Sequence, residues 1–266
     1  MKTAAYTICK NEIDKVEQWI YYTKDFDYRV ILDTGSTDGT YEAFKKVPNI
    51  ILDQFIMDDF RFDIPRNKNL DMVPKDVDWC LSPDVDEYFS INVLEQMEKT
   101  IKENPLVTNI ACTRLDIYSK EVFVGPPKHI GTNKIHRRFD YDWKMPIYEH
   151  LSYVGKENEL EIFNHQIFLV HDQNIHKPRS QLYFELMKKE FKNNPNNNWN
   201  NWFLANEYYI RKDLENFVDV GLSFCINSSK DNTDSKYQEV FSALHKISIA
   251  SNVPTEIKEK IKINLI

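Results

Sequence analysis

Three carboxylates stand within four residues of one another in Asp84-Val85-Asp86-Glu87, directly after an apolar segment. That segment, Val77 to Leu81, is interrupted only by Asp78, which is typical of a short buried strand. Crowded like charges at the end of a strand are unfavourable unless a cation neutralises them, and hard oxygen ligands suit Mg²⁺ or Mn²⁺. Such ions usually bind substrate phosphates as well. The sequence therefore predicts a site for a divalent ion and a diphosphate at the carboxyl end of a strand.

Two further polar segments also follow apolar runs. Lys10-Asn11-Glu12 follows a predicted strand at residues 3–9, and the loop from Asp33 to Thr40 follows Val30-Ile31-Leu32. Each polar segment leads into a helical pattern, and a third strand is predicted at residues 50–52, followed by a helix at residues 64–73. This alternation favours a parallel α/β sheet, in which the carboxyl ends of the strands share the edge where ligands bind.

The chain changes character after this first part. Residues 107–171 contain shorter apolar runs, which predict mixed or antiparallel strands covering the ligand edge, and the pattern from residue 177 onward is helical. We predict a catalytic domain at residues 1–176, with a nucleotide-binding part at 1–105 and an acceptor-side part at 106–176. A helical region at 177–266, with paired helices like those of tetratricopeptide hairpins, completes the chain.

Composition restricts the class of protein. The 266 residues are 42% hydrophobic and 13% aromatic, enough for a sizeable core, and the net charge of −7 argues against a wholly basic nucleic-acid-binding surface. The four cysteines are scattered, which favours reduced thiols in the core. No apolar segment resembles a signal peptide or is long enough to span a bilayer. We expect a cytoplasmic protein without a transmembrane segment, whose only membrane contact would be peripheral.

The order and spacing of these motifs resemble the family 2 glycosyltransferases of the GT-A fold, over roughly the first two-thirds of the chain. The sequence is most similar to small bacterial and phage enzymes of the lipopolysaccharide-core and peptide S-glycosyltransferase type, whose helical tail resembles residues 202–209. The resemblance implies a Rossmann-like mixed α/β sheet flanked by helices, with a C-terminal helical, tetratricopeptide-like extension. It also implies an enzyme that moves a sugar from a nucleotide-sugar, with a UDP-sugar as the expected donor, to a hydroxyl-bearing acceptor with inversion.

The resemblance also assigns residues to the metal ion. In the family the last aspartate of the D-x-D motif holds the metal, which corresponds to Asp86, while Asp84 would lie nearer the ribose and sugar of the donor. His171 follows an apolar run, at a position where a histidine of the family completes the shell of a Mn²⁺ or Mg²⁺ ion. Glu87 is then expected to support the turn.

Other residues are assigned to the donor nucleotide. Asp33 and Asp38 flank the loop that holds the base and ribose in the family; the alternative is that Thr37 or Asp38 caps the helix starting near Thr40, and we favour Thr37 as the cap and Asp33 as the nucleotide contact. Arg66 is expected to contact the diphosphate or the base through its planar fork. Asn11 and Glu12 either bind the donor or form a capping pair for the first helix.

An inverting transfer needs a general base to deprotonate the acceptor. The segment from Met145 to Leu151 resembles one in which a histidine precedes a glutamate, but here Tyr148 stands in place of that histidine. We predict Glu149 as the base, with His150 as the second choice. The alternative is that Glu149 only orders its loop.

The acceptor and the partners are less constrained. A basic cluster predicts either a solvated loop with some diphosphate contact or an anionic acceptor; it comprises Lys128, His129, Lys134, His136, Arg137 and Arg138. A glycan, a lipid-linked sugar, a protein or a modified nucleic acid are all compatible acceptors, and the helical tail offers a surface for a homo-oligomer. The alternative functions are a nucleotidyltransferase, for which the glycine-rich phosphate loop is lacking, and a non-catalytic binding module.

Overall fold

The structure is a computed structural model that describes residues 1–118, 122–123, 128–130, 134–173, 180–228 and 235–265. The chain divides into two compact units, Met1–Lys177 and Pro178–Ile266. The first unit contains both helices and strands, and the described part of the second is helical.

The strands of the first unit are, in chain order, β1 Thr3–Cys9, β2 Tyr28–Asp33, β3 Ile50–Gln54, β4 Trp79–Leu81, β5 Glu87–Phe89, β6 Asn109–Tyr118, β7 Val122–Phe123, β8 Lys128–Ile130, β9 Ile135–Arg137, β10 Tyr141–Lys144, β11 His150–Tyr153 and β12 Glu161–Gln173. Its helices are a 3-10 turn at Ile13–Lys15 and then α1 Val16–Tyr22, α2 Thr40–Lys45, α3 Asp63–Met72 and α4 Val93–Glu103. The predicted helix that carries Arg66 is thus confirmed as α3.

Most of these strands form one large sheet in the order β3-β2-β1-β4-β9-β6-β12-β5, and β7 and β8 each pair with β6. The first four strands of that order are mutually parallel, while β9 and β5 run against their neighbours. Strands β10 and β11 form a separate antiparallel pair. The predicted mixed α/β sheet flanked by helices is confirmed.

The central parallel strands are buried on both faces, which is why they read as continuous apolar runs. In β1, Ala5 belongs to a core cluster that includes Trp19 and Phe44 from the helices, and these two rings meet edge to face with centroids 5.8 Å apart. Tyr6 faces a second cluster on the opposite side, where its hydroxyl accepts a hydrogen bond from Trp143 Nε1 at 2.9 Å. Both faces of the sheet are therefore covered. The polar carboxyl ends of its strands form the edge where we expect a ligand.

Two elements near the acidic motif were not predicted. Strand β5 begins at Glu87, so the motif is a tight connection between β4 and β5 rather than the start of a long loop. Helix α4 follows, with Val93 and Met97 buried against the sheet. The result is that Asp84 and Asp86 lie in a segment anchored at both ends by strands.

The four cysteines all lie within the described residues, where they are buried and form no disulfide, as predicted. Burial raises the pKa of Cys80 and that of Cys225 to about 12 each. Both thiols are therefore protonated at neutral pH, which makes them poor nucleophiles and poor metal ligands.

The described helices of the second unit are α5 Ser180–Asn193, α6 Asn198–Ile210, α7 Leu214–Asn227, α8 Ser235–Ile249 and α9 Thr255–Leu265. The asparagine run before α6 forms a hydrogen-bonded turn. Asn197 caps α6 by accepting from Asn200 N at 3.2 Å, and Asn201 donates to Pro195 O at 2.7 Å. Among the described residues, no helix is both long enough and apolar enough to cross a membrane.

Candidate active site

The carboxyl ends of β1 and β2 lie side by side, because Cys9 pairs with Asp33 in the parallel register. Asp33 is fully buried, and its Oδ1 accepts hydrogen bonds from Gly35 N, Ser36 N and Gln54 Nε2, each at 2.9 Å. Gly35 has a φ of 102°, a conformation that a side chain would strain. The carboxylate thus builds the loop that was predicted to hold the nucleoside.

Protonation of Asp33 is unfavourable in the folded chain. Burial by itself raises the pKa of this carboxyl, but hydrogen bonds from Ser36, Gln54 and Gly35 outweigh burial and hold the pKa below its ordinary value. The contribution to stability is therefore fully present above the unfolded pKa of about 4, and it is lost as the pH falls below that value.

Asp33→Asn is expected to reduce the free energy of unfolding by about 1.5–3 kcal/mol at pH 7, because it removes the charge from a buried acceptor. The difference from the unmodified protein should shrink at pH 3, where the Asp33 carboxyl of the unfolded chain is largely protonated while that of the folded chain resists protonation. Urea unfolding at pH 7 and at pH 3 measures this difference in the free energy of unfolding. Asp71→Asn, at an exposed position on α3, is the matched control and should change little. An Asp33→Asn deficit that is equal at both pH values would contradict the assignment.

The loops after β1 and β2 are joined by side-chain hydrogen bonds to backbone. Asp38 Oδ1 accepts from Thr40 N at 3.0 Å, at the start of α2, and its Oδ2 accepts from Ile13 N at 3.1 Å, at the start of the 3-10 turn. Asn11 Oδ1 accepts from Thr37 N at 2.8 Å. The N-cap of α2 is Gly39 and no side chain caps it, so neither Thr37 nor Asp38 is that cap; the Asp38 carboxylate instead bonds the first backbone N–H of both helices.

Glu12 does not cap the first helix as the alternative interpretation predicted. It is the residue before the 3-10 turn, but its side chain accepts no capping hydrogen bond there, and Asp38 fills that role instead. Its backbone N–H donates to Thr40 Oγ1 at 2.8 Å. Contact of Asn11 or Glu12 with a donor stays a prediction.

Beside the acidic motif lies a buried network of ion pairs. Arg66 donates through Nη2 to Asp84 Oδ1 and through Nε to Glu149 Oε1, both at 2.8 Å. Lys134 donates to Asp84 Oδ2 at 3.0 Å and also to Glu87. Glu87 additionally accepts from Asp84 N at 3.0 Å, which confirms its predicted role in supporting the turn.

The charges of this network are mutually stabilised. Burial alone lowers the pKa of Arg66, but Asp84 and Glu149 outweigh burial and raise it. Burial likewise opposes ionisation of Asp84, yet Arg66 and Lys134 hold the pKa of this carboxyl well below its ordinary value. The guanidinium of Arg66 also stacks over the Trp143 ring, 4.5 Å from its centroid. Arg66 and Asp84 therefore remain charged at neutral pH.

The predicted solvated basic loop is wrong for three of its members. Lys134 belongs to the ion-pair network, His136 is fully buried, and Arg138 is only 7% exposed. His136 bonds the Tyr6 hydroxyl through Nε2 at 3.0 Å, and burial lowers its pKa to about 4, so its ring is neutral. The side chains of two other members lie outside those that the structure describes: Lys128 and His129.

Asp86 and His171 approach one another at the same edge of the sheet. Their Oδ2 and Nε2 atoms are 3.3 Å apart, and the backbone is fixed by a hydrogen bond from Asp172 N to Asp86 O at 2.8 Å. Neighbouring ligands of an octahedral ion with bonds of about 2.1 Å lie about 3 Å apart, so this pair fits one Mn²⁺ or Mg²⁺. The described residues hold no cluster of three potential metal-ligating side chains. Two protein ligands suit an ion whose remaining ligands are phosphate and water.

Two residues that were not predicted lie behind His171. Asp116 Oδ1 is 3.2 Å from His171 Nδ1, opposite the face turned to Asp86, and Arg114 contacts the same nitrogen and donates to Asp116 at 2.9 Å. The register of β6 and β12 places His171 beside Asp116. A carboxylate on the distal nitrogen fixes the orientation of a ligating imidazole. In the sequence, the alternating polar residues of β6 were the signal that could have identified Arg114 and Asp116.

The charges around this edge do not balance. Lys15 pairs with Asp172, of which one oxygen is buried without a hydrogen-bond partner. Leaving His171 out of the count, six carboxylates face four cations, an excess of two negative charges; the acids are Asp84, Asp86, Glu87, Asp116, Glu149 and Asp172, and the bases are Lys15, Arg66, Arg114 and Lys134. One divalent cation neutralises that excess.

Glu149 is presented by a strained segment. Met145 and Tyr148 have positive φ values of 77° and 56°, which non-glycine residues adopt rarely. The segment is held by Ile147, which is 1% exposed, and by a hydrogen bond from Phe62 N to Pro146 O. Strain of this kind persists where packing imposes it. Glu149 is therefore fixed at Arg66, whereas His150 next to it is exposed.

Comparison with solved structures shows which fold this is. A crystal structure of S. aureus TarS 1-349 with UDP-GlcNAc is similar to 99% of this chain over 89% of its own length, with a TM-score of 0.52 and 12% identity. The UDP complex covers 99% of this chain and 87% of its own, with a TM-score of 0.50 and 12% identity. A longer TarS structure matches 91% of this chain over 50% of its own, with a TM-score of 0.50 and 13% identity.

At this low identity the likeness shows the fold, and it confirms the predicted GT-A architecture. No protein-family profile matches the sequence, and no curated protein matches it either. The resemblance to lipopolysaccharide-core and peptide S-glycosyltransferases stays a prediction.

Proposed function

We propose that this protein is a metal-dependent glycosyltransferase that moves a sugar from a UDP-sugar to a hydroxyl-bearing acceptor with inversion. The pairing of Asp86 with His171 at the ligand edge, 3.3 Å apart, carries the proposal. The similar TarS structures were solved with UDP-GlcNAc and with UDP, which supports the choice of donor. The excess of two negative charges around the pair supports a divalent cation there.

Asp86 and His171 would hold Mn²⁺ or Mg²⁺, which when bound neutralises the charge that develops on the leaving diphosphate. Asp116 keeps the His171 ring turned toward Asp86. Asp84, one-third exposed beside this pair, is the carboxylate that we expect nearest the ribose and sugar. Arg66 and Lys134 keep it ionised.

The nucleoside is proposed to lie against the joined loops after β1 and β2. Asp33 is fully buried and shapes this surface, while Asp38 and Asn11 are exposed on it. Direct contact of Asp33 with the base stays a prediction, as does contact of Arg66 with the diphosphate.

Glu149 is proposed to take the proton from the acceptor hydroxyl. Its Oε1 is bonded by Arg66, and among the described residues no hydrogen bond engages its Oε2. Since Arg66 also bonds Asp84, the carboxylate lies next to the acidic motif. As the acceptor oxygen bonds to the anomeric carbon, the bond from that carbon to the diphosphate oxygen breaks and the nucleoside diphosphate leaves. One such displacement inverts the configuration.

Glu149→Gln is expected to reduce transfer about 100-fold while leaving the UDP-dependent rise in melting temperature unchanged. The amide keeps an acceptor for Arg66 but cannot take a proton, and general-base catalysis contributes about 10²–10⁴-fold. We expect the lower end of this range because Glu149 Oε1 is already engaged by Arg66, which leaves Oε2 to accept the proton. His150→Gln is the matched comparison. Wild-type transfer by Glu149→Gln would move the role to another residue.

The decisive experiment is a screen of nucleotide-sugars for release of nucleoside diphosphate, with Mn²⁺ and with chelator. Metal-dependent UDP release from a UDP-sugar supports the proposal. Release of pyrophosphate from a nucleoside triphosphate would instead indicate a nucleotidyltransferase, and no thermal response to any nucleotide would indicate a binding module. The proposed acceptor is a glycan, a lipid-linked sugar, a protein or a modified nucleic acid.

We further propose that residues 1–176 form the catalytic domain, with donor binding in 1–105 and acceptor binding in 106–176. The helical region at 177–266 is the proposed surface for a homo-oligomer. Size measurement in solution, on the whole chain and on a chain ending at residue 176, tests the latter.

A further inference from the structure

The first unit has an open cavity of about 550 Å³ away from the proposed donor site. Val77 and Trp79, at the amino end of β4, line it together with Ile101 of α4 and the turn at residues 137–140 after β9. Asp84 and Asp86 follow the other end of β4. The volume falls within the range of small-molecule sites, about 300–1,000 Å³.

Arg138 lines this cavity and has an incomplete set of partners. It is 7% exposed, its Nη2 donates to Val73 O at 3.2 Å, and its guanidinium lies 4.9 Å from the centroid of the Phe139 ring. Its Nε is buried without any hydrogen-bond partner. Among the residues that the structure describes, no carboxylate pairs with it and nothing accepts from its Nη1. A buried guanidinium without a counter-ion is unfavourable, so an anion that reached it would be strongly favoured.

The other charged residues that line the cavity determine how much negative charge the bound anion carries. Asp76 and Asp78 are engaged by Lys2, through its ammonium and its backbone N–H respectively. The lining also carries a third carboxylate, Asp140, and two further basic side chains, Lys75 and Arg137, of which Arg137 donates to Pro105 O at 2.8 Å. Three carboxylates around the rim repel a polyanion, whereas the unpaired charge of Arg138 suits a single negative charge.

The apolar residues that line the cavity determine the chemical nature of the rest of the ligand. Val77 and Trp79 form a buried apolar side, and Phe139, 61% exposed, stands at the opening. The volume greatly exceeds that of an inorganic ion, so an occupant that fills it has an organic body. Aromatic rings of this kind pack well against a flat apolar group.

We propose that this cavity binds a singly charged organic acid, whose carboxylate pairs with Arg138 and whose apolar body lies against Trp79 and Phe139. Binding here uses none of the residues assigned to the donor, so it stands apart from the proposed function. A carboxylate matches the planar fork of a guanidinium, with two parallel N–H···O hydrogen bonds available in principle.

Benzoate titration of the full chain tests this, with neutral benzamide as the isosteric comparison and ionic strength held constant. We expect benzoate to raise the melting temperature and change the tryptophan fluorescence saturably, because Trp79 lines the cavity, and benzamide to bind at least tenfold more weakly. Inorganic phosphate should also be weaker than benzoate. Equal responses to benzoate and benzamide, or no saturable response to benzoate, would overturn the proposal.

Three variants identify the residues. Arg138→Gln should weaken benzoate binding at least tenfold, and Arg138→Lys, which keeps the charge but loses the fork, should weaken it less. Phe139→Ser changes an exposed side chain, so it should keep the fold and still weaken benzoate binding several-fold. Lys144→Gln, an exposed residue paired with Asp142 elsewhere in the unit, is the control for a lost positive charge. Wild-type benzoate affinity in the Phe139→Ser and Arg138→Lys variants would also overturn the assignment.

Discussion

Replacing Asp86 with asparagine is expected to abolish the Mn²⁺-dependent stabilisation by UDP and to reduce sugar transfer about a thousandfold. Asparagine keeps the shape of the side chain but removes one of the two excess negative charges at this edge of the sheet. Stabilisation of a leaving diphosphate by a bound ion is worth several kcal/mol, and each 1.4 kcal/mol corresponds to about tenfold in rate. The melting temperature with UDP and Mn²⁺, before and after chelator, and the release of UDP from the donor measure the two effects.

The fold should survive this change, because the side chain of Asp86 is 29% exposed and the backbone hydrogen bond from Asp172 N to Asp86 O does not depend on the carboxylate. Asp142→Asn is the matched control, since Asp142 is exposed and pairs only with Lys144 among the described residues. If Asp86→Asn kept the Mn²⁺-dependent response of the unmodified protein, the metal assignment would be wrong.

Arg66→Met is expected to lower the free energy of unfolding by about 3–5 kcal/mol at pH 7. Methionine fills much of the volume but leaves Glu149 without its partner in a position where only 10% of its side chain is exposed. Removing one member of a buried pair has this effect because the remaining charge is uncompensated. Asp84 is affected less, because Lys134 still bonds it. Urea unfolding measures the difference.

The deficit of Arg66→Met should shrink on going from pH 7 to pH 3. Arg66 is one of the two cations that hold the pKa of Asp84 below its ordinary value, so the stability that Arg66 contributes through Asp84 is present above the unfolded pKa of about 4 and is lost as the pH falls below it. Arg61→Met is the control, because Arg61 pairs with Asp63 at the surface and such pairs are worth about 0–1 kcal/mol. An Arg66→Met deficit no larger than that of Arg61→Met would refute a structural role for the network.

The parallel half of the sheet could be predicted because its strands carry local signals. Strands β1, β2 and β4 are buried on both faces, so they appear as unbroken apolar runs that stop at polar loops. The placement of Asp86 near His171, 85 residues away, followed from the resemblance alone. The structure brings their side chains together, and their role as ligands stays a prediction.

The supporting residues could not be predicted, because their partners are set by register. Asp116 reaches His171 only through the pairing of β6 with β12, which shifts between Asn164 and Phe168. A local pattern carries no information about such a shift. The prediction of a solvated basic cluster was wrong for three of its members for a related reason. Lys134 and Arg138 look solvated in the sequence, but distant acids and carbonyls receive them in the fold.

The excess of two negative charges at the ligand edge has a kinetic consequence. A nucleoside diphosphate is itself an anion, so the bare edge repels it, while the same field draws divalent cations toward Asp86. Under the proposed function, binding would thereby be ordered: the cation would arrive first, or the nucleotide would arrive already carrying it. Salt, which screens the repulsion, would weaken that order, so the sequence of events depends on the ionic strength of the surroundings as well as on the pocket itself.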